Sequence, residues 1–259
     1  MVSQLKELYA YRQMIISLVR KDLRGRYKGS VLGFLWTFIN PLFQLIVYTI
    51  VFSYILKSGI DKYYLYLFVA LIPWIFFSSS ITGGASSIIA QKDLVKKIYF
   101  PRQVIPISYV TSCFVNMLLC FIVIFIVVLV SGIGMNFLAV LCLPVIMIVE
   151  YIMALGMALL SSAVTVYFKD LEHILGIVSM AWMYLTPIMY DKSIVPEQVQ
   201  PIFNINPMTH VIECYRAVLY EKSIPQLSSL LSAFLLGVLF LVLGWVVFNR
   251  LQKHFAEEL

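Results

Sequence analysis

Charge is scarce in this sequence. Only 12% of its 259 residues are charged while 61% are hydrophobic, and the mean hydropathy is +0.92, so too few polar side chains exist to cover a water-soluble globule. Lipid has to cover it instead. Histidine is nearly absent, with three residues in the chain, and no His-Glu-x-x-His helix or paired His/Asp constellation offers a metal site or acid–base chemistry. The four cysteines have no metal or disulfide spacing: Cys113, Cys120 and Cys142 fall inside apolar runs as small core residues, and only Cys214 lies in a polar segment. A Gly-x-x-x-x-Gly-Lys-Ser/Thr loop is missing, and with it the usual cradle of backbone amides for ATP. No nucleophile elbow appears either. The chain is therefore not expected to be an enzyme or to bind a cofactor of its own. Its surplus of 19 Lys+Arg over 13 Asp+Glu, a net charge of +6, does not point to nucleic acid, because the cations cluster between apolar runs instead of collecting on one soluble face beside stacking aromatics. The first 30 residues alternate charge with apolar positions and hold no uninterrupted apolar run with a small-residue cleavage site, so no secretory signal is expected to be removed.

What is present is a series of long apolar stretches. A bilayer core of ~30 Å takes about 20 mostly apolar helical residues, and six stretches qualify: Val31 to Leu56, Tyr64 to Ser80, Val104 to Val130, Leu138 to Phe168, Ile174 to Tyr190 and Leu227 to Phe248. The fifth is short and the fourth long, which suggests tilt, a kink at Pro144 or a partly broken span. The fold class expected is an all-α integral membrane protein of six spans. Orientation follows from the short loops. Lys6, Arg12 and the run from Arg20 to Lys28 precede the first stretch, Lys92, Lys96, Lys97 and Arg102 lie between the second and third, Lys169 follows the fourth, and Arg250 and Lys253 follow the last. The opposite side holds Lys57 and Lys62, an uncharged loop from Ser131 to Phe137, and Lys192, Arg216 and Lys222 among four acids. Both ends are thus expected in the cytoplasm. Residues 1–30 form an N-terminal segment, 31–249 a single membrane domain without internal repeats, and 250–259 a cytoplasmic tail.

Several segments carry candidate functional residues. Within 1–30, Leu8, Tyr11, Ile15 and Leu18 recur on one helical face, which predicts an amphipathic helix lying in the membrane interface. Arg20, Lys21, Arg24, Arg26 and Lys28 would then stand at headgroup depth, either as positive-inside anchors or against the phosphates of a lipid-linked substrate. In the first stretch Thr37, Asn40, Gln44 and Tyr48 recur at helical intervals beside Trp36 and Pro41, and in the fifth Ser179, Met183, Thr186 and Tyr190 do so. Buried amides and hydroxyls need partners or water, so these stripes face another helix or an aqueous path. Ala154, Ala158 and Ser162, with Gly156 nearby, permit close helix approach in the fourth stretch. Glu150 is an acid inside that same stretch, near an end, paired locally or able to relay protons. Between the second and third stretches, residues 91–102 form a short charged segment, a solvated loop or a docking knob. After Tyr190, residues 191–224 are expected as short external helices, with His210, Glu213 and Arg216 on one polar face that caps the outer mouth of a path.

The run Lys21-Asp-Leu-Arg-Gly-Arg-Tyr-Lys-Gly-Ser-Val-Leu-Gly-Phe-Leu-Trp-Thr-Phe-Ile-Asn-Pro-Leu42 closely resembles the opening of permeases from bacterial ATP-binding-cassette polysaccharide and polyol-phosphate exporters. Three later pieces do so too: Leu94-Val-Lys-Lys-Ile-Tyr-Phe-Pro-Arg102 is similar to the family's coupling segment, Thr186-Pro-Ile-Met-Tyr190 to the end of its fifth span, and Asn206-Pro-Met-Thr-His-Val-Ile-Glu-Cys-Tyr-Arg216 to its external helices. The resemblance implies a homodimeric permease in the bacterial cytoplasmic membrane. It implies two copies of a separate nucleotide-binding ATPase subunit that holds ATP and Mg, and a lipid-linked glycan or teichoic-acid-type polymer as substrate. By the same resemblance Gln91, Lys92, Asp93, Lys96, Lys97, Phe100 and Arg102 would dock on the ATPase, and Arg20 to Lys28 would meet substrate phosphates. The polar stripes put Trp36, Asn40, Gln44, Tyr48, Thr186 and Tyr190 along the polymer path. Rival readings keep the architecture with a drug, peptide or lipid as cargo, or make the chain a glycan-lipid-modifying enzyme or an ion-coupled carrier. The enzyme lacks a convergent acid, base or nucleophile. The carrier would show intramembrane ionisable groups in more than one span, and only Glu150 qualifies.

Overall fold

A computed structural model describes residues 2–26 and 29–259, with side chains for 6–26, 29–255 and 257–259. Among these residues every regular element is a helix. Two short helices open the chain, α1 (Val2–Ala10) and α2 (Arg12–Gly25), and α3 (Trp36–Thr49) follows, extended at its ends by a 3-10 turn at Gly33–Leu35 and a π turn at Ile50–Ile55. Next come α4 (Tyr63–Ala90), the six-residue α5 (Lys92–Lys97), α6 (Val104–Ser131), the short α7 (Phe137–Val140) and α8 (Leu143–Tyr167). The remainder is α9 (Leu171–Tyr184), α10 (Gln200–Ile205), α11 (Pro207–Leu219), α12 (Leu227–Leu251) and α13 (Phe255–Glu258).

Five helical stretches are long and apolar enough to cross a membrane: Gly33–Ile55, Tyr63–Ala90, Val104–Ser131, Phe137–Tyr167 and Leu227–His254. The expected fifth stretch differs. Its helix α9 has 14 residues, about 21 Å at 1.5 Å per residue, and falls short of the ~30 Å core. The chain nonetheless runs antiparallel to α4 along it, with Ser179 Oγ 2.6 Å from Ser78 Oγ, the Tyr63 hydroxyl donating to Met189 O at 2.7 Å and the Tyr66 hydroxyl donating to Tyr190 O at 3.0 Å. Helix α4 continues ten residues beyond the expected Ser80. At 28 residues it reaches about 42 Å, longer than the ~30 Å hydrocarbon core. Pro144 kinks nothing: it occupies the first turn of α8, where a missing N–H costs no helical bond, and the break falls instead between α7 and α8.

Helix α4 is the axis of the bundle. Of its most apolar window 78% is buried, against 6% for the first span, as suits a helix hydrophobic on all sides. Small residues bring its neighbours close. A Cβ added at Gly84 would lie 2.9 Å from Ala158 Cβ on α8, and one added at Gly156 would lie 2.6 Å from Leu241 Cα on α12. In lipid, such backbone approach substitutes for the hydrophobic effect as the source of helix association.

Polar contacts gather the termini and the α4–α6 connection at one end. Lys21 Nζ donates to Gln91 Oε1 at 3.4 Å, the Tyr11 hydroxyl to Tyr99 O at 3.5 Å, the Tyr167 hydroxyl to Leu251 O at 2.8 Å, and Arg102 Nη1 to Gln252 O. Lys21, Arg102 and Lys253, read above as cytoplasmic cations, share this end. Beneath it a second apolar cluster packs Leu8, Ile88, Val95, Phe100, Val104, Phe248 and Phe255, with Tyr11, Met14, Ile15 and Leu18 against it. The amphipathic face read from the N-terminal sequence is the face that packs, although the chain breaks at Tyr11 into two helices.

Candidate functional site

The segment between α4 and α6 is built as a knob. Gln91 leaves helical geometry at φ −111° and ends α4, and α5 follows with Asp93 in its first turn and Lys96 and Lys97 in its last, each sign facing the helix end that favours it. Ile98 then turns extended and stops α5. Lys92, Asp93, Lys96, Lys97, Ile98 and Tyr99 are exposed, Gln91 is half-buried, and Val95 and Phe100 are buried in the apolar cluster. Of the proposed docking residues, Phe100 therefore anchors the knob from below. Arg102 is held inward as well, over the Phe255 ring at 5.8 Å, and burial draws its pKa below the ordinary arginine value. Gln103 Nε2 donates to Asn249 Oδ1 at 2.7 Å, so the C-terminal end of α12 braces the knob's return into α6. No signal in the sequence tied Phe255 or Asn249 to this segment.

The basic run divides into two groups. Arg20, Lys21 and Arg24 are exposed on α2, and Lys28 lies outside the described residues. Arg26 turns into the bundle: its Nε donates to Asp22 Oδ2 at 2.9 Å, and its Nη2 to Ser112 Oγ at 3.0 Å and to Cys113 Sγ at 3.2 Å. Ser112 Oγ donates in turn to Asp22. This polar clasp fixes α2 to α6. The sequence reading missed this pair, which the i,i+4 spacing of Asp22 and Arg26 could have signalled, and nothing in the sequence points to its partner helix.

The two polar stripes fare differently. On α3 the buried face is Thr37, Pro41 and Leu45, which leaves Asn40 and Gln44 exposed beside half-buried Trp36 and Tyr48. Trp36 Nε1 donates to Ser30 Oγ at 3.0 Å. Thr186 is fully buried. Its hydroxyl donates to Trp182 O at 2.8 Å and accepts from Asn206 Nδ2 at 2.9 Å. Tyr190 is half-buried, with its hydroxyl on Tyr184 O at 2.5 Å.

Asn206 is the hub of the opposite, far end. Its Oδ1 caps α11 at Met208 N, 3.1 Å away, and accepts from Trp182 Nε1 at 2.9 Å, while its Nδ2 also reaches Leu185 O at 3.0 Å. The chain folds back here, and α11 is buried against α4, α8 and α12. The expectation of a polar external face is therefore revised. His210 is largely enclosed and Arg216 is only 5% exposed, and burial lowers the Arg216 pKa against the opposing pull of Tyr66 and Asp191. Asp191 itself is held below the usual carboxylate range by hydrogen bonds from Ser193. Glu150 pairs locally: it is wholly buried, and its Oε2 accepts from the Tyr215 hydroxyl of α11 at 2.8 Å.

Comparisons with known proteins match this sequence along its whole length. The chain is 33% identical over 261 residues to the O-antigen export system permease protein RfbA of Myxococcus xanthus, with both chains covered completely. It is 32% identical over 246 residues to a Klebsiella pneumoniae protein of the same name, covering 95% of each. The polysialic acid transport protein KpsM of Escherichia coli is 25% identical over 236 residues, 88% of this chain and 90% of that one. The family model described as ABC-2 type transporter matches residues 13–220, from the first turn of α2 to the end of α11, and the chain belongs to that family.

Proposed function

We propose that this chain is the membrane-spanning permease subunit of an ATP-driven exporter that moves a lipid-linked polysaccharide, of O-antigen, capsular or teichoic-acid type, outward across the bacterial cytoplasmic membrane. The observation that carries the reading is the complete-length similarity to a permease named for O-antigen export. In this reading α9 with residues 185–190 makes a sixth crossing, both termini and the charged end face the cytoplasm, and α1 and α2 lie at the membrane interface. Energy comes from a separate ATPase, two copies to a homodimer, which seats on the α5 knob through Lys92, Asp93, Lys96, Lys97 and Tyr99. Arg20, Lys21 and Arg24 meet the phosphates of the lipid carrier. The path runs along the α3 face of Trp36, Asn40, Gln44 and Tyr48, with Tyr190 near its far end; buried Thr186 shapes that end through Asn206 and does not line it.

Deletion of the chain should abolish surface polysaccharide and leave lipid-linked polymer inside. Reversing Lys96 and Lys97 to Glu should weaken stimulation of the companion ATPase about tenfold, given what like-charge juxtaposition costs at an interface, with membrane insertion unchanged; undiminished stimulation refutes the docking assignment. Trp36→Ala and Gln44→Leu should each reduce export while the dimer persists, and normal export from both removes the α3 face from the path.

A further inference from the structure

At the far end, α4, the segment after α9, α11 and the start of α12 enclose a cavity of about 540 Å³, a size typical of small-ligand sites. Tyr66, Asp191, Lys192, Glu213, Arg216 and Ser229 contribute to its wall, and none of these belongs to the α5 knob or the α3 face. Arg216 is unusual. Its Nη2 donates to Ile188 O at 2.7 Å and its guanidinium stacks 3.6 Å from the Tyr66 ring centroid, yet its buried Nε has no hydrogen-bond partner, and it makes no ion pair among the described residues. An unpaired buried donor is costly, and an acceptor on a bound ligand would satisfy it.

Other groups on the wall narrow the ligand's chemistry. His210 Nε2 donates to Asn204 O at 2.8 Å, and its buried Nδ1 makes no hydrogen bond, with Glu213 Oε2 3.9 Å away. Lys192 and Glu213 pair at 2.9 Å while each keeps about a third of its side chain accessible. Two cations, Lys192 and Arg216, stand among three carboxylates, Asp191, Glu213 and Glu221, and this slightly negative balance disfavours phosphate or carboxylate ligands. No cluster of three metal-ligating groups exists among the described residues, which disfavours a divalent cation. What satisfies closely spaced donors and acceptors of both kinds is a group that donates and accepts at each position. Sugar hydroxyls do so, and Pro187 and Ile224 on the same wall give the C–H face of a pyranose an apolar contact.

We infer that this cavity is a saccharide subsite for an uncharged hexose or acetamido-hexose unit of the polymer at the far side of the membrane; the inference rests on the polysaccharide reading. The test places the full chain in deuterated-lipid nanodiscs and measures saturation-transfer NMR with mannose, N-acetylglucosamine and galacturonic acid as probes. Both neutral sugars should receive saturation from the wild type and galacturonate should not. Ser229→Phe fills the cavity without touching an ionised group and should lower the neutral-sugar signal about tenfold, equivalent to ~1.4 kcal/mol. Arg216→Gln should lower it too, and if that variant fails to fold, Ser229→Phe with a wild-type melting transition decides the matter. Absence of saturation from both neutral sugars, an unchanged signal in Ser229→Phe, or preference for galacturonate overturns the subsite. A chain that supports export but fails these measurements loses only the subsite, whereas one that binds the sugars but supports no surface polysaccharide loses the export reading.

Discussion

Replacing Gly156 by Ala should separate two helices that the sequence brings into backbone contact. The new Cβ would stand 2.6 Å from Leu241 Cα and closer still to the neighbouring backbone atoms of α12, whereas carbon atoms rest at ~3.5–4.0 Å. The obstacle is backbone, so no side chain can swing aside, and the helices must part by about 1 Å. A gap of that size forfeits about a third of each dispersion well. Over roughly 20–40 atom pairs of ~0.15 kcal/mol each, the loss is about 1–2 kcal/mol, within the ~1–3 kcal/mol typical of overpacked cores. Gly237 on α12 faces the same partner and supplies the control, because a Cβ there meets Met153 Cβ at 3.4 Å and Val149 O at 3.5 Å, an ordinary contact. Both substitutions gain the same ~1 kcal/mol of helix propensity, so their difference isolates the steric effect. Unfolding midpoints in detergent, followed by tryptophan fluorescence, should put Gly156→Ala below Gly237→Ala by a five- to thirty-fold smaller folded-to-unfolded ratio. Coincident midpoints refute the claim that α8 and α12 touch through their backbones.

The clasp between α2 and α6 offers a second test: Arg26→Ala removes three donated hydrogen bonds, and because the pair is a quarter to a third exposed the loss should be modest, ~1–2 kcal/mol. Tryptic cleavage at Arg20, Lys21 and Arg24 should accelerate in that variant, and an unchanged cleavage rate counts against the clasp. At the far end, Tyr215→Phe should destabilise the fold by ~1–3 kcal/mol because it strips the one hydrogen bond from fully buried Glu150. Glu150→Gln, whose carbonyl still accepts from the Tyr215 hydroxyl, should stay near wild type in both stability and export. Lost export from a stable Glu150→Gln protein would show that an ionisable group is required there.

Much of the layout was legible because lipid makes apolar length a direct signal. The spans now formed by α3, α6, α8 and α12 sit close to where hydropathy put them, and the face of Leu8, Tyr11, Ile15 and Leu18 is the one that packs. The failures share a cause. The second stretch read from the sequence stops at Ser80, short of Gly83 and Gly84, yet in a bundle such small residues are what let helices meet: Gly84 faces Ala158, and Gly83 faces the ring of Tyr109. Likewise His210, Glu213 and Arg216 read as one polar face at the outer mouth of a path, while Val211, Ile212, Tyr215, Val218 and Leu219 pack the same helix into the bundle. Local polarity could not say which face wins, since the deciding partners, Glu150 and Tyr66, lie far away in the sequence. Phe100 and Thr186, read from the sequence as docking and path residues, are buried by partners equally remote in the sequence.

The exposed face of α3 shows how the surrounding solvent decides what such a surface means. Phe43, Ile46 and Val47 are more than half exposed and cost nothing against lipid tails. Asn40 and Gln44 are exposed on the same helix, and each amide left in hydrocarbon costs ~1–3 kcal/mol or more. A monomer in a bilayer would bear that penalty on a helix already poorly tied to its neighbours, with 6% of its apolar window buried. The penalty disappears if this side meets a second copy across a hydrated passage. Water then solvates the amides, the flanking apolar residues seal against the partner or lipid, and the loose attachment of α3 to α4 leaves the wall free to move as a polymer goes by. The pairing of polar exposure with weak internal packing, more than either feature alone, is the reason the proposed path is drawn along this face.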